Sequence, residues 1–573
     1  MRGLVLIVLV ACAGPKSKGP VHEEFATADL KMLGPLQFGQ TGKAAYHDGP
    51  RFIAYRTTAR AGERVQVDVR SADGVPMVWL LDGALRVVAA DDAADSNEAH
   101  LDVTLPPGDE IAYTIAIREA ALGDATFVTQ VVAPAHDLAS WRARSVYFVM
   151  TDRFANGDPG NDRANGFGGQ WHGGDLRGLI ERLDYIAGMG FTGLWITPVV
   201  EQHNDYAYHG YHGWDFSTVD GHLGDIATLR ELVREAHARG IAVMIDTVAN
   251  HTGHYDYQAR SFPDPAMYHH NGGISDWNDP QEVEDHDLAG LNDLDQDHPA
   301  VHQGLIDHVR WLVAASGADG LRVDTVKHVP ATFWKEWNAA AGVYTVGEIL
   351  DGSVPKVAAY SYQLDASLDY PLFFAIRDAF AHGGSARALG GVLAQDSAYS
   401  DAMLAGVFVD NHDQPRFLCE AGGSQEKLRL ALAFAFTTRG VPIVYYGTEQ
   451  GFGDCGNNRQ DMFGRYDAGA PLYAWIAKLN AARASTPALR GGLQYEHWQD
   501  DTAYAFERVD GDSVAVAAFN TSGGTRTLAL GNLHVAAGTT LRDALGGTAT
   551  ATVSGSGGVS VTIPARSVLL LVH

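Results

Sequence analysis

The sequence predicts an α/β barrel with a β-module on each side of it, and three observations support this fold class. Between about residues 145 and 484, seven short apolar runs of strand length alternate with helical segments. No glycine-rich phosphate-binding motif follows any of these runs, which disfavours a doubly wound nucleotide-binding sheet. Outside this region, apolar and polar residues alternate with a period of two, which is typical of antiparallel strands. The 573 residues allow about three or four domains.

The first 24 residues are expected to be a leader followed by a tether. Residues 4–11 form an apolar run that is too short to span a bilayer, which needs roughly 20 residues. Residues 9–12 resemble the cleavage site of bacterial lipoprotein signals, so residues 1–12 are predicted to be such a signal, with Cys12 as the lipidated residue. An ordinary apolar start with a stray cysteine is the alternative. Residues 13–24 are rich in Gly, Pro and Lys, which indicates a tether.

Two stretches of alternating residues predict the flanking β-modules. Residues 25–136 are expected to form an N-terminal β-sandwich, with strands at 64–70, 78–81 and 113–117. Residues 486–573 are expected to form a second β-sandwich, with strands at 514–519, 525–530 and 568–572. Trp79 in the first module is either a core residue or a sugar platform, and a single tryptophan favours the core.

Residues 140–485 are predicted to form a (β/α)8 barrel with an insertion at residues 251–300. The candidate strands are 146–150, 193–197, 241–248, 320–326, 343–349, 405–410 and 441–445, and residues 229–239 and 301–316 show helical spacing. In such a barrel, groups at the carboxyl ends of the strands share one pocket. Asp324, Glu348 and Asp413 follow three separate strands and are expected to converge there. Each one alone could instead be a helix cap or an ion-pair partner.

Composition restricts the partners of this protein. Asp and Glu number 69 against 42 for Lys and Arg, so the formal net charge is −27. Such a field repels nucleic acid and anionic lipid, so no nucleic-acid partner is expected, and membrane contact is expected only through the lipid anchor. Hydrophobic residues make up 46% of the chain, which indicates a folded protein. We expect an exported protein, held at a bacterial membrane in the periplasm or at the cell surface, or secreted.

The residues at the strand ends resemble the α-amylase family of glycoside hydrolases. The four family signatures are similar to residues 246–251, 320–328, 347–348 and 408–413, and supporting segments are similar to 190–198, 291–299 and 440–451. The resemblance implies retaining, endo-acting cleavage of α-1,4-glucosidic bonds in starch and maltooligosaccharides through a glycosyl-aspartate intermediate. A cyclomaltodextrinase or neopullulanase-type hydrolase, a related glucosyltransferase and an inactive glucan-binding protein are the alternatives. A monomer is expected rather than a dimer.

The resemblance also implies a role for each site residue. Asp324 is the implied nucleophile, Glu348 the acid/base and Asp413 the third carboxylate, which binds sugar hydroxyls. Eight further residues are implied to bind the α-glucan substrate: Arg322, His251, His412, Tyr211, Lys327, His328, Asp246 and Arg459.

Calcium and a disulfide are implied in the same way. The first Ca²⁺ site would use six residues, Asn156, Asp158, Asn161, Asp162, Gly173 through its carbonyl, and Asp175. A metal-free Asx-rich turn is the alternative for this loop. A second Ca²⁺ site would use Asn250, Asp293 and the carbonyl of His328. The family fold brings the loops of Cys419 and Cys455 together, so a disulfide between them is implied, with two free thiols as the alternative.

Overall fold

The computed structural model describes residues 24–36, 40–47, 49–59, 64–92, 97–105, 112–132, 136–162 and 169–573. The predicted signal, including Cys12, and nearly all of the predicted tether lie outside the described residues. The chain divides into two compact units, with the boundary between residues 135 and 136. No helix in the described ranges has both the length and the apolar character needed to cross a membrane.

The first unit contains two β-sheets packed face to face. Its strands are β1 (Leu30–Pro35), β2 (Thr41–Tyr46), β3 (Phe52–Thr58), β4 (Arg64–Ser71), β5 (Pro76–Leu81), β6 (Val87–Asp92), β7 (Glu98–Thr104), β8 (Ala112–Glu119) and β9 (Ala125–Val132). One sheet has the order β1-β3-β8-β5-β6 and the other β2-β9-β4-β7. Alternate residues such as Val67 and Ile115 fill the core between them. Trp79 is 1% exposed and packs against Phe25 and Phe52, so it is a core residue.

Ten strands lie between residues 146 and 445 of the second unit, interspersed with helices, and eight of them form the predicted barrel. The ten are β10 (Val146–Val149), β11 (Gly193–Ile196), β12 (Val200–Gln202), β13 (Gly213–Val219), β14 (Ala242–Thr247), β15 (Gly320–Val323), β16 (Tyr344–Gly347), β17 (Ala366–Ser367), β18 (Gly406–Val407) and β19 (Val441–Tyr445). Strands β12 and β13 form a separate antiparallel pair, and the other eight are parallel in the order β17-β16-β15-β14-β11-β10-β19-β18. A parallel bridge between Leu368 and Gly406 joins the two ends of this sheet. The α/β barrel is therefore confirmed.

Helices connect the barrel strands and cover the barrel. They are α1 (Leu138–Ala143), α2 (Thr151–Phe154), α3 (Leu176–Glu181), α4 (Leu183–Gly188), α5 (Ile226–His237), α6 (Pro280–Asp285), α7 (Pro299–Ser316), α8 (Ala331–Ala341), α9 (Val354–Tyr360), α10 (Tyr370–Ile376), α11 (Arg387–Leu393), α12 (Phe417–Glu420), α13 (Gln425–Thr437), α14 (Pro471–Ser485) and α15 (Pro487–Gly491). Carboxylates begin several of them: Asp225 accepts from the Thr228 N–H at the start of α5, and Asp175 accepts from the Gly178 N–H at the start of α3.

The C-terminal strands form a six-stranded antiparallel sheet and a separate pair. They are β20 (Leu493–Gln499), β21 (Ala503–Asp510), β22 (Ser513–Asn520), β23 (Arg526–Leu530), β24 (Thr540–Asp543), β25 (Thr550–Thr552), β26 (Val559–Ile563) and β27 (Ser567–Val572). The sheet has the order β20-β21-β22-β27-β24-β25, and β23 pairs with β26. On one face, Phe506 and Phe519 pack against Phe434 of α13, within the same core as the barrel. The other face forms a second core with β23 and β26.

Candidate active site

Carboxylates project from the carboxyl ends of three neighbouring barrel strands. Asp246 lies near the end of β14, Asp324 directly follows β15, and Glu348 directly follows β16. The backbone fixes two of them, because the Asp324 N–H donates to Thr247 O at 2.9 Å and the Glu348 N–H donates to Val323 O at 2.8 Å. The sheet therefore holds the three carboxylates as neighbours.

Arg322 joins the three carboxylates and is itself fully buried. Its Nη1 donates to Asp246 Oδ1 at 2.9 Å and to Asp324 Oδ1 at 2.7 Å. Its Nη2 lies 2.6 Å from Glu348 Oε2. Because Arg322 and Asp324 are two residues apart on one extended segment, their side chains project to the same side. One guanidinium thus orients the predicted nucleophile and the predicted acid/base together.

The three carboxylates carry more negative charge than Arg322 neutralises. Burial raises the pKa of Asp246 to about 6, against the attraction of Arg322. Burial also raises the pKa of Asp324, and the negative charges of Glu348 and Asp246 raise it further, while Arg322 lowers it. We therefore expect the cluster as a whole to hold a proton near neutral pH. A carboxylate nucleophile and a carboxylic acid can then exist side by side.

Tyr370 binds the other carboxylate oxygen of Glu348, and this residue was not predicted from the sequence. Its hydroxyl donates to Glu348 Oε1 at 2.9 Å, and Asn411 Nδ2 donates to the Tyr370 hydroxyl at 3.1 Å. Burial raises the pKa of Tyr370 well above its usual value, so the phenol stays neutral and remains a donor. Tyr370 begins α10 just after β17, a strand of two residues that has no recognisable apolar run.

Asp246 also holds the aromatic wall of the pocket. Its Oδ2 accepts from the Tyr211 hydroxyl at 2.7 Å and from Trp195 Nε1 at 3.2 Å. The Tyr211 ring stacks on the His412 ring with centroids 5.3 Å apart. Asp246 therefore positions Arg322 and Tyr211, and protein donors already occupy both of its oxygens. Trp195 was not anticipated as an individual residue, although it lies within the supporting segment 190–198.

Two buried imidazoles in the pocket are neutral. Burial lowers the pKa of His251 to about 3 and that of His412 well below its usual value. His251 Nε2 is buried without a hydrogen-bond partner among the described residues, whereas His412 Nε2 lies 3.2 Å from Asp413 Oδ2. A neutral imidazole can donate to or accept from a hydroxyl, so both groups suit a polyhydroxylated ligand.

The third predicted carboxylate lies at the open side of the pocket. Asp413 is paired with Arg459, whose Nη2 donates to Oδ1 at 2.8 Å, and the Arg459 Nε donates to His412 O at 2.9 Å. The loop that carries Arg459 is fixed by a disulfide between Cys455 and Cys419, the pairing that the resemblance implies. The structure thus brings Asp413 and Arg459 together as a one-to-one ion pair.

Lys327 and His328 lie beyond the carboxylates, on the 3₁₀ turn Val326–His328. Lys327 Nζ donates to Leu350 O at 3.0 Å and lies 5.7 Å from the ring centre of Trp277. Trp277 is 57% exposed, which makes it an aromatic surface that the sequence did not single out. The His328 side chain is buried and its Nδ1 contacts Val283 O at 2.8 Å, so its imidazole is bound within the protein.

The loop after α2 gathers the first set of predicted calcium ligands around Asp175. The Asp175 carboxylate accepts from the N–H groups of Gly178, Gly157 and Asp158 at 2.6, 3.1 and 2.8 Å. Asn161 Nδ2 lies 3.5 Å from Asp175 Oδ2. Asn161 Oδ1 is buried without a hydrogen-bond partner among the described residues, which suits a cation ligand.

The other members of this set lie nearby in the same loop. Asn156 Nδ2 donates to both carboxylate oxygens of Asp162, at 3.0 and 2.8 Å. Gly173, the predicted carbonyl ligand, has a φ of +96°, a conformation that favours glycine, and its N–H donates to Asp152 at 3.0 Å. The hard oxygen donors of the set are those that Ca²⁺ prefers.

The second predicted set also converges. One amide atom of Asn250 lies 2.6 Å from His328 O and 3.2 Å from Asp293 Oδ1, and the other lies 3.0 Å from His251 Nδ1. If the amide oxygen of Asn250 points inward, it forms a group of three possible metal-binding oxygens with His328 O and Asp293 Oδ1. If the NH₂ group points inward, it donates hydrogen bonds to these two oxygens. The residues therefore fit a Ca²⁺ ion, and they also form a self-contained hydrogen-bonded group.

A barrel that gathers paired carboxylates at the carboxyl ends of its strands is typical of glycoside hydrolases. Comparison with known proteins makes this assignment more specific. Residues 148–486, more than half of the chain, match the family "Alpha amylase, catalytic domain". The chain belongs to the alpha-amylase family.

Similar proteins carry the same family name. A "Beta/alpha-amylase" from Paenibacillus polymyxa is 44% identical over 452 residues, which cover 75% of this chain and 38% of that protein. "Alpha-amylase 1" from Lipomyces kononenkoae is 36% identical over 400 residues, covering 65% of this chain and 63% of that protein. The chain thus spans less than two thirds of either relative. The crystal structure of an alpha-amylase from Geobacillus thermoleovorans, complexed with acarbose, superposes with a TM-score of 0.69 at 33% identity, covering 75% of this chain and 98% of that one.

Proposed function

We propose that this protein is a retaining, endo-acting glycoside hydrolase that cleaves α-1,4-glucosidic bonds in starch and maltooligosaccharides. The observation that carries the proposal is the buried guanidinium of Arg322, which donates to Asp324 and lies 2.6 Å from Glu348. A retaining glycosidase needs a carboxylate nucleophile and a carboxylic acid close together around one bond, and this bridge supports that pairing.

In the first step, ionised Asp324 attacks the anomeric carbon of the sugar. Arg322 favours the ionised form of Asp324, while Glu348, as the carboxylic acid, gives its proton to the glycosidic oxygen. The C–O bond of the glycoside breaks, the leaving chain departs as an alcohol, and a glycosyl ester forms on Asp324. In the second step, Glu348 takes a proton from water, whose oxygen attacks the same carbon and releases Asp324.

The remaining pocket residues suit an α-glucan rather than a charged ligand. Neutral His251 and His412 and the carboxylate of Asp413 are hydrogen-bonding groups for sugar hydroxyls. The stacked ring of Tyr211 offers an apolar face for the sugar ring. Lys327, beside exposed Trp277, is assigned to the leaving-group side of the cleft.

Calcium is assigned a structural role at both sites. Asn156, Asp158, Asn161, Asp162, Gly173 and Asp175 would hold one ion, and Asn250, Asp293 and His328 a second. Bound Ca²⁺ would neutralise the clustered oxygen atoms and stabilise the loops that carry them. We expect chelation with EDTA to lower the melting temperature (Tm), and added Ca²⁺ but not Mg²⁺ to restore it. An unchanged Tm after EDTA would contradict the calcium assignment.

The proposal also includes the location and the oligomeric state of the enzyme. We infer an exported protein, lipid-anchored through Cys12 or secreted, that acts as a monomer on neutral polysaccharide. Metabolic labelling with a fatty-acid analogue tests the anchor: the label is expected on the full-length protein and absent after Cys12→Ser.

Product analysis tests the activity itself. The purified protein, with Ca²⁺ and without residues 1–12, is incubated with soluble starch and, separately, with β-cyclodextrin. A rapid fall in starch viscosity together with mixed α-maltooligosaccharides is the expected result, and Asp324→Asn is the matched inactive control. Preferential opening of the ring would point instead to a cyclomaltodextrinase, and glucosyl transfer without net hydrolysis to a transferase. Either result would overturn the endo-amylase proposal.

A further inference from the structure

Glu507 places a carboxylate on an apolar face of the C-terminal sheet. It lies in β21 directly opposite Val516 of β22, on the face that forms a core with β23 and β26. Its neighbours two residues away on the same face include Ala505, and the side chain is 0% exposed. A buried carboxylate is unfavourable unless other groups pair with it, so this position requires an explanation.

Two histidines from separate segments meet this carboxylate. His497 belongs to β20 at a β-bulge, where Glu496 pairs with Phe506 and Trp498 pairs with Ala505, so no residue of β21 is opposite His497. Its Nε2 lies 3.2 Å from Glu507 Oε2. Bulges re-aim a side chain and are enriched beside functional sites.

The second histidine comes from the loop after β23. His534 Nδ1 lies 2.8 Å from the same Oε2 of Glu507, and the His534 N–H donates to Glu507 Oε1 at 3.0 Å. The Tyr495 ring stacks on the imidazole with centroids 4.1 Å apart. These contacts fix the direction of the imidazole before any ligand arrives, as groups surrounding a metal ligand do.

The three groups have the donor types and spacing of a metal site. The two imidazole nitrogens and the carboxylate oxygen all lie within 4.8 Å of one another. Zinc binds histidine nitrogen and carboxylate oxygen at about 2.0–2.2 Å in a tetrahedron, which separates adjacent ligand atoms by roughly 3.3 Å. The 2.8 and 3.2 Å separations are close to that value. The His534 side chain is 47% exposed, so solvent can reach the fourth position.

We propose that His497, Glu507 and His534 bind one divalent transition-metal ion, with zinc as the preferred ion, which fastens the loop of His534 to β20 and β21. Nitrogen donors suit zinc, nickel and copper, whereas calcium prefers oxygen alone, so this site differs in kind from the two proposed calcium sites. It lies in a different sheet from the carboxylates of the barrel and does not depend on the glycosidase proposal.

Calorimetric titration of the metal-free protein with ZnCl₂ tests this site. The protein carries no histidine tag, and excess Ca²⁺ is present to occupy the oxygen sites. We expect one tight zinc ion per chain, weakened about tenfold or more by His534→Ala and by Glu507→Gln. His573→Ala, which removes an exposed terminal histidine, is expected to leave it unchanged. Co²⁺ in place of zinc is expected to give d–d absorption bands that both variants lose.

Thermal melting provides a second readout that does not depend on activity. Zinc is expected to raise the Tm of the wild-type protein and not that of Glu507→Gln, a variant that keeps the size and shape of the side chain. Absence of tight zinc binding would overturn the proposal. So would equal zinc affinity in the wild type, His534→Ala and Glu507→Gln, because the ion would then be bound elsewhere, for example among the seven histidines of residues 251–302.

Discussion

Arg322 and Arg439 are buried arginines of the barrel that both form ion pairs with aspartates, but their clusters serve different purposes. Both are 0% exposed and both bind aspartates from other segments of the chain. Arg322 lies within β15 and faces the carboxyl ends of the strands, whereas Arg439 precedes β19 at the opposite end. Arg439 Nη1 lies 2.5 Å from Asp369 Oδ2, and its Nη2 lies 2.6 Å from Asp396 Oδ1.

The two clusters differ in their balance of buried charge. Arg439 faces one fully buried carboxylate, Asp369, which also caps α10, while the side chain of Asp396 is 29% exposed and partly solvated. Arg322 faces three carboxylates whose side chains are at most 11% exposed. Removing one partner from a balanced buried cluster destabilises the fold, whereas an excess of buried negative charge favours a retained proton that can take part in chemistry.

The largest expected effect comes from removing one carboxylate charge in each cluster. Asp324→Asn is expected to lower kcat on starch by about 10⁴-fold, on the order of the loss of a nucleophile in other enzymes, and to leave Tm unchanged or higher because it relieves repulsion. Asp369→Asn is expected to lower Tm while the folded protein keeps its kcat. Steady-state kinetics and thermal melting of both variants check this contrast, and a stable, active Asp324→Asn enzyme would refute it.

Replacing Arg439 and Arg322 tests whether the first cluster serves stability and the second serves activity. Arg439→Met leaves Asp369 buried without its partner, and we expect a loss of about 3–5 kcal/mol in the free energy of unfolding. Arg322→Met is expected to cost about 10²-fold or more in kcat/KM, since it removes the charge that orients both proposed catalytic carboxylates. Denaturant titration and kinetics measure the two effects. If Arg439→Met lost as much activity as Arg322→Met in folded protein, the distinction between the clusters would fail.

A smaller effect is expected from the tyrosine of each cluster. Tyr370 donates to Glu348 at 2.9 Å, and Tyr399 lies beside Asp369, with its hydroxyl 3.5 Å from Oδ1. Tyr370→Phe is expected to lower kcat by at least about tenfold. Glu348 becomes a carboxylate as it gives up its proton, and a hydrogen bond to a charged group is worth about 1.5–3 kcal/mol. The matched Tyr399→Phe variant should keep its kcat. Equal kcat values for the two variants would contradict a role for Tyr370 in the reaction.

The smallest expected effect concerns the one-to-one pair of Asp413 and Arg459. Because the Cys419–Cys455 disulfide fixes the loop of Arg459, reduction is expected to raise KM for maltooligosaccharides a few-fold with little change in kcat. Kinetics with and without dithiothreitol measure this change. A double Cys419→Ser/Cys455→Ser variant should show the raised KM and no response to the reductant.

Much of this site could be predicted from the sequence because its residues stand at the ends of apolar runs of strand length that alternate with helical segments. Asp324 and Glu348 stand at the ends of β15 and β16, where strand periodicity and the resemblance both point to the pocket. Tyr370 could not be found in that way, since β17 has only two residues. Trp277 lies in the segment between β14 and α7, whose path is set by tertiary contacts rather than by local periodicity.

In the C-terminal sheet, strands were predicted from the sequence but the side-chain cluster was not. The strands at 514–519 and 568–572 were visible from their alternation, and they correspond to β22 and β27. His497, Glu507 and His534 have no shared spacing in the sequence, because a bulge and a long loop bring them together. A cluster assembled by tertiary structure leaves no local pattern to recognise.

Trapping the glycosyl-enzyme tests the central claim most directly. Glu348→Gln is incubated with α-maltosyl fluoride, whose fluoride leaves without an acid, so the intermediate forms but water attack lacks its base. Peptide mass spectrometry is expected to find one maltosyl group on Asp324, and no adduct when Asp324→Asn is combined with Glu348→Gln. An adduct on Asp413 or any other residue, or none at all while fluoride is released, would contradict the account.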